Sequence, residues 1–247
     1  YINEKVGTNK GEEFDIAVDP LEGTNFVAKN LPNALSVLAA TKKGNLLNAP
    51  DIYMEKIAIG SDLPKNLVDL DFGVKKNIEL LAAAKKTKPN KLNACILNRP
   101  RHEGIINDLN VLGVRINYIT DGDVSGVISV AEKKSNIDIY IGIGGGPEGV
   151  LAAAALSCLG GQIQTRLVLD KEQISRAKEF GVTDIRKKFN IDEMIKGDVI
   201  FCATAVTNGE LVKGIVDKGD SFEASTFALH KDFNINKKVT NNHKKWI

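Results

Sequence analysis

Apolar positions fall along the chain in two rhythms. Up to about residue 89 they come as short runs parted by turn residues, and from residue 90 strand-like and helix-like stretches alternate. The run at 14–18, Phe-Asp-Ile-Ala-Val, reads as a buried strand that ends at Pro20, which has no amide to donate and a fixed φ. A second run over 33–40 closes in Thr41-Lys42-Lys43-Gly44-Asn45, and Leu46-Leu47 and 53–59 read as further strands. This part therefore predicts an antiparallel sheet. Asp71 is placed to cap a helix reaching about residue 86, with Val74, Ile78, Leu81 and Ala82 at helical spacing.

Beyond residue 90 the expected order is strand 92–97, helix 101–112, strand 114–119, helix 123–131, strand 137–143 and helix 147–159, stopped by Gly160-Gly161. Such a βαβ rhythm implies a mostly parallel sheet with covered faces. A strand over 163–169, a helix over 171–180, an apolar strand over 199–206 and β-like stretches after Ser221 complete the chain. The fold class is α/β, with an antiparallel-rich part at 1–89 and an α/β part at 90–247, onto whose partner the last strands can pack back.

In open α/β sheets ligands gather outside the carboxyl ends of strands. Four clusters fall at such ends: Asp19 to Thr24, Asn98-Arg99-Pro100-Arg101-His102, Asp121-Gly122-Asp123, and Gly144-Gly145-Gly146-Pro147-Glu148-Gly149. In the first, two carboxylates three residues apart precede Gly23-Thr24, whose free amides suit an anion. Carboxylates beside an anion site fit divalent cations held between them; otherwise the cluster is a solvated acidic turn. The glycine cluster follows a strand, opens a helix and has Asp170 about twenty residues on, which matches a dinucleotide fingerprint. Against that reading, Pro147 removes an amide and Glu148 puts a carboxylate where a pyrophosphate would sit. Arg99 and Arg101 oppose the helix dipole at their position, as phosphate ligands would; otherwise they are a solvated basic helix start. His102, His230 and His243 form no metal-binding spacing; the last two read as surface residues, and His102 has no assignable role.

Composition narrows the partners. Among 247 residues, 33 Lys and Arg against 31 Asp and Glu leave +2, so no overall field points to nucleic acid or a membrane surface. Cys95, Cys158 and Cys202 lie in apolar runs, as reduced buried thiols do, and cytoplasm is the expected compartment. No apolar run approaches a membrane span.

The text Asp19-Pro20-Leu21-Glu22-Gly23-Thr24 resembles the signature of the metal-dependent, lithium-sensitive sugar phosphatase superfamily. With Asn33 to Ala39, the stretch from Leu47 through Tyr53-Met54-Glu55-Lys56, Arg99-Pro100-Arg101-His102 and the Gly144–Gly149 turn, it is similar to the class II fructose-1,6-bisphosphatase family over residues 1 to roughly 240. The resemblance implies a layered α-β-α-β-α fold and hydrolysis of the 1-phosphate of fructose 1,6-bisphosphate in gluconeogenesis, by a cytoplasmic homo-oligomer, dimer or tetramer. It implies Mn²⁺ or Mg²⁺ on Asp19, Glu22 and Glu148, and Thr24 as the catalytic hydroxyl. Substrate would meet Glu22, Gly23, Thr24, Tyr53, Arg99, Pro100, Arg101, Asp121, Gly122, Asp123 and Gly145. Arg99 stands where the family's motif has lysine.

The resemblance further implies a preceding segment, with an Asp and a glutamate-rich turn that complete the metal sites. The chain opens at Tyr1 without an initiator methionine. Residues 1–247 by themselves are thus expected to bind metal weakly, turn over slowly and leave apolar surface on the first sheet uncovered. The alternatives are a superfamily phosphatase acting on sedoheptulose bisphosphate or an inositol phosphate, a non-catalytic binding form, and last a nicotinamide enzyme.

Overall fold

The computed structural model describes residues 4–170, 173–174 and 184–245. The helix expected over 171–180 lies outside them apart from Gln173 and Ile174. Two six-stranded sheets carry the fold. In the first, β1 (Phe14–Glu22), β2 (Leu35–Lys42), β9 (Ile200–Ala205), β11 (Ser221–His230) and β10 (Val216–Asp217) follow in that order. The last strand, β12 (Ile235–Lys244), pairs with β11, and every pairing is antiparallel. The Lys- and Asn-rich tail is thus the edge hairpin of this sheet.

The second sheet runs β5 (Arg115–Ile119), β4 (Asn93–Leu97), β6 (Ile139–Gly145), β3 (Tyr53–Ile59), β7 (Gln162–Leu167) and β8 (Lys188–Asn190). It is mixed, not mostly parallel. The pairs β4–β5 and β4–β6 are parallel, while β3–β6, β3–β7 and β7–β8 are antiparallel. The difference comes from 53–59, expected to extend the first sheet. Its run Lys56-Ile57-Ala58-Ile59 is buried on both faces, which suits a central strand, and it inserts between β6 and β7.

The first strand departs from expectation in two ways. It continues through Pro20 to Glu22, with a register shift between Asp19, opposite Val37, and Glu22, opposite Leu35. Pro20 therefore falls in the irregularity of an edge strand, where no ladder donor is needed. Nor is the strand buried: Phe14, Ile16 and Val18 are 53%, 50% and 56% exposed on its outer face.

Helix α4 (Asp123–Ile128) and helix α5 (Gly146–Leu159) lie between the sheets. Residues 150–156 of α5 are all buried, as befits a helix apolar on every side, and its core cluster includes Val37, Phe201 and Phe227 of one sheet with Met54, Tyr140 and Ile163 of the other. Helix α2 (Gly73–Ala84) and helix α3 (Glu103–Val111) cover the far face of the second sheet through Ile57, Ile78, Leu81 and Leu109. Asp71 does not cap α2: Asp69 caps the 3₁₀ turn Leu70–Phe72 that leads into it, accepting from Asp71 N at 2.8 Å, while Asp71 pairs with Lys188 and Arg166. Cys95, Cys158 and Cys202 are free thiols. His230 is half-buried on Asp198 at 2.7 Å, not a surface residue. No helix among the described residues is long and apolar enough to cross a membrane.

Candidate active site

The site is built where two helix starts meet. After Glu22, a short helix α1 (Thr24–Ala28) begins where the sequence predicts only a turn. Its cap Gly23 and the cap of α4, Gly122, both adopt left-handed backbone, with φ of 81° and 73°. The ring of Phe26 fills the space beside both: a Cβ would lie 2.5 Å from the ring at Gly23 and 2.9 Å at Gly122. Glycine is thus required twice over, by conformation and by contact. This packing docks the end of β1 onto α4, and Glu22 Oε1 accepts from Val124 N at 2.9 Å. The carboxylate is held at the amino end of α4, where the helix dipole favours negative charge.

Glu148 arrives from the start of α5, and Asp19 from β1. One carboxylate oxygen from each of Asp19, Glu22 and Glu148 lies within 4.8 Å of the others, although the residues are far apart in the chain. Burial raises the Glu22 carboxyl well above the ordinary range, and the Asp123 charge adds to the shift. Glu148 is raised by burial too, and its Oε2 is shut from solvent with no hydrogen-bond partner among the described residues. Converging carboxylates that repel one another, one with an unbonded buried oxygen, are the donor set a hard divalent cation satisfies. The cluster therefore fits a divalent metal.

Beneath it lies a residue that sequence reasoning passed over. Lys56, in the middle of β3, is wholly buried, and its Nζ bonds Asp123 Oδ2 at 2.5 Å. The signal was legible as a lysine inside an otherwise apolar strand, but its partner lies far along the chain. The glycine turn makes room for this pair. A Cβ at Gly144 would lie 1.8 Å from Asp123 Oδ2, one at Gly149 3.2 Å from Lys56 Cε, and one at Gly145 2.0 Å from Glu148 Oε2. Gly146 N is already spent on Ile52 O at 2.7 Å, and Asp170 caps its own downstream segment through Gln173 N at 2.8 Å. The glycines thus accommodate protein side chains, and the nicotinamide reading loses its geometric basis.

The remaining clusters join the rim. Asp121 Oδ2 accepts from both Asn25 N and Asn25 Nδ2 at 3.1 Å, and Arg99 Nη2 approaches Asp121 Oδ1 at 3.8 Å. Arg101 donates through Nε and Nη2 to Ile143 O at 3.1 and 2.9 Å, and its guanidinium stacks 4.7 Å from the Tyr53 ring centroid. Pro100 opens the 3₁₀ turn Pro100–His102 that carries Arg101. Thr24 is exposed at the first position of α1, while Asp123 is only 5% exposed and lies deeper than Asp121. The four clusters thus meet at one place.

Comparison with known proteins bears on this geometry. The sequence model of the family described as bacterial fructose-1,6-bisphosphatase, glpX-encoded, matches residues 1–243. The chain is 36% identical over 258 aligned residues to fructose-1,6-bisphosphatase class 2 of Haemophilus influenzae, covering 98% of this chain and 77% of that protein. It is 39% identical over 244 residues to fructose-1,6-bisphosphatase 1 class 2 of Escherichia coli K12, covering 93% of this chain and 72% of that protein. With the match running nearly end to end and through every cluster that meets at the site, the chain belongs to the bacterial, glpX-encoded fructose-1,6-bisphosphatase family.

Proposed function

We propose that this protein hydrolyses the 1-phosphate of fructose 1,6-bisphosphate, giving fructose 6-phosphate and phosphate, as a phosphoric monoester hydrolase that requires a divalent cation. The observation that carries the reading is the convergence of Asp19, Glu22 and Glu148 with a buried, unbonded Glu148 oxygen, in a member of this family. Asp19, Glu22 and Glu148 would hold Mn²⁺ or Mg²⁺, since an all-carboxylate set suits hard cations. When bound, the cation supplies charge neutralisation at the phosphoryl oxygens and lowers the pKa of the attacking water.

The protein's own part is positional, as phosphoryl transfer demands. The Glu22–Thr24 backbone cradles the reacting phosphate, and the Thr24 hydroxyl orients the attacking water or the leaving oxygen. Arg99 and Arg101, with Pro100 setting their turn, bind the phosphate that does not react. Tyr53, Asp121, Gly122, Asp123 and Gly145 line the sugar, Asp123 from a buried position fixed by Lys56. The stack of sheet, helical pair, sheet and helical pair is read as the sugar phosphatase layering. The enzyme acts in the cytoplasm on a small sugar bisphosphate, as a homo-oligomer.

Phosphate release tests the reading, measured on fructose 1,6-bisphosphate, sedoheptulose 1,7-bisphosphate and inositol 1-phosphate with Mn²⁺, Mg²⁺ or EDTA. Metal-dependent release, fastest from fructose 1,6-bisphosphate, is expected. Release that persists in EDTA, or that favours inositol 1-phosphate, overturns it.

A further inference from the structure

The histidine of the Arg99-Pro100-Arg101-His102 segment is fully buried, and the reaction as described makes no use of it. Its Nδ1 lies 2.6 Å from Leu97 O, and its Nε2 lies 2.8 Å from Ile143 N. A carbonyl only accepts and a backbone amide only donates, so Nδ1 carries the ring proton and Nε2 accepts. Both bonds are satisfied in the neutral ring alone. Burial, reinforced by the Arg101 and Arg99 charges, keeps the imidazole pKa below its ordinary value. Gly142 leaves the ring its place: a Cβ there would lie 3.3 Å from Nε2.

The bond to Ile143 matters because of what holds the other side of that residue. Arg101, the neighbour of His102 in the same 3₁₀ turn, donates Nε and Nη2 to Ile143 O. Two adjacent side chains therefore grip both backbone polar groups of one residue, His102 at the N–H and Arg101 at the C=O. The guanidinium is left with a fixed plane, stacked on Tyr53. Ile143 is followed in β6 by Gly144-Gly145, which lead directly into the start of α5 and Glu148.

We propose that His102 is a positioning residue for substrate phosphate: through its two ring nitrogens it clamps the Arg99–Pro100–Arg101 turn to the Ile143 backbone, and so sets the Arg101 guanidinium against Tyr53. The inference rests on the reading of Arg101 as a ligand of the non-reacting phosphate. A histidine that merely cross-links the core would alter the folded fraction, and hence kcat, without altering recognition.

The test compares His102→Asn, His102→Gln and Arg101→Ala in the full-length enzyme with saturating Mn²⁺. An Asn amide reaches the Nδ1 position and keeps only the bond to Leu97 O, whereas a Gln amide reaches the Nε2 position and keeps the acceptor for Ile143 N–H. His102→Asn is expected to raise KM for fructose 1,6-bisphosphate about tenfold, the size of one lost hydrogen bond, with kcat nearly unchanged. His102→Gln is expected to stay nearer the parent KM. For p-nitrophenyl phosphate, which lacks a second phosphate, KM should not change in either. If Arg101→Ala raises KM for the bisphosphate while both His102 variants keep the parent KM, the inference alone fails. If Arg101→Ala leaves that KM unchanged, the phosphate reading fails and takes the inference with it. A fall in kcat at constant KM in His102→Asn assigns the histidine to the core and overturns the proposal. Should neither His102 variant fold, ¹⁵N spectra of the parent enzyme decide. Fructose 6-phosphate at saturation should shift the His102 Nε2 resonance, and an unmoved resonance overturns the proposal.

Discussion

Lys56 Nζ lies 2.5 Å from Asp123 Oδ2, with the two side chains 0% and 5% exposed, and the pair is close enough to Glu22 and Glu148 for its charges to act on their carboxyls. Desolvating two charges is costly, so such a pair stabilises little against an apolar pair of the same shape. Losing one partner, however, strands the other. Lys56→Met should therefore destabilise the fold by about 3–5 kcal/mol in urea unfolding. The double variant Lys56→Met/Asp123→Asn, which strands no charge, should recover most of that loss. A Lys56→Met protein as stable as the parent would show that Asp123 finds another partner.

Gly145→Ala separates metal binding from folding. The backbone there, at φ −63° and ψ 145°, accepts alanine, but the new Cβ would lie 2.0 Å from Glu148 Oε2. What must move is the end of a flexible side chain, so the stability cost should stay within about 1 kcal/mol. Displacing one carboxylate of three should weaken Mn²⁺ binding by at least about tenfold, measured by isothermal titration calorimetry. Parent-like affinity would place the cation away from Glu148.

Thr24→Ala addresses the reaction. The residue is exposed at the first position of α1, so its hydroxyl contributes about 1 kcal/mol or less to stability. A positioned catalytic group contributes roughly 10²–10⁴-fold in rate. The variant should keep its melting temperature and lose kcat by at least the lower figure. Equal turnover would leave Thr24 a helix-start residue only.

Metal and protons should compete at this cluster. The Glu22 and Glu148 carboxyls are raised in the fold, chiefly by burial. A raised folded pKa contributes stability that is fully present below the unfolded carboxyl value, about 4.3, and is lost as pH rises through the folded value. The metal-free protein should therefore lose this contribution to stability as pH rises through those folded values. Saturating Mn²⁺ should cancel that loss, and calorimetry in buffers of different ionisation enthalpy should detect protons released on binding. Binding without proton release would put the metal elsewhere.

Much of this protein was legible in the order of its residues, because the signals are local. Asp19, Glu22 and Gly23 sit within five residues of sequence, and Pro147 and Glu148 sit at a helix start, where an amide is missing and a carboxylate is added. Those features by themselves favour a metal over a dinucleotide. The periodicity of α2 and the glycine stop after α5 were likewise local, and the elements stand within a few residues of expectation.

What tertiary structure decided is pairing. Alternation records that a stretch is extended but not which strand lies beside it, so β3 left the first sheet for the second, and the sheet expected to be mostly parallel became mixed. The period-2 pattern of Phe14, Ile16 and Val18 could not say which face would be covered, and these side chains proved exposed. The lysine at 56 could not be matched to Asp123, nor the ring of His102 to the backbone of Ile143, because each partner is brought in by strand order. Burial then determined the chemistry: the same carboxyl that would be an ordinary acid in a solvated turn is, at Glu22, desolvated and crowded by Asp123. Local sequence thus supplied the donors, and the packing of distant strands decided which of them meet.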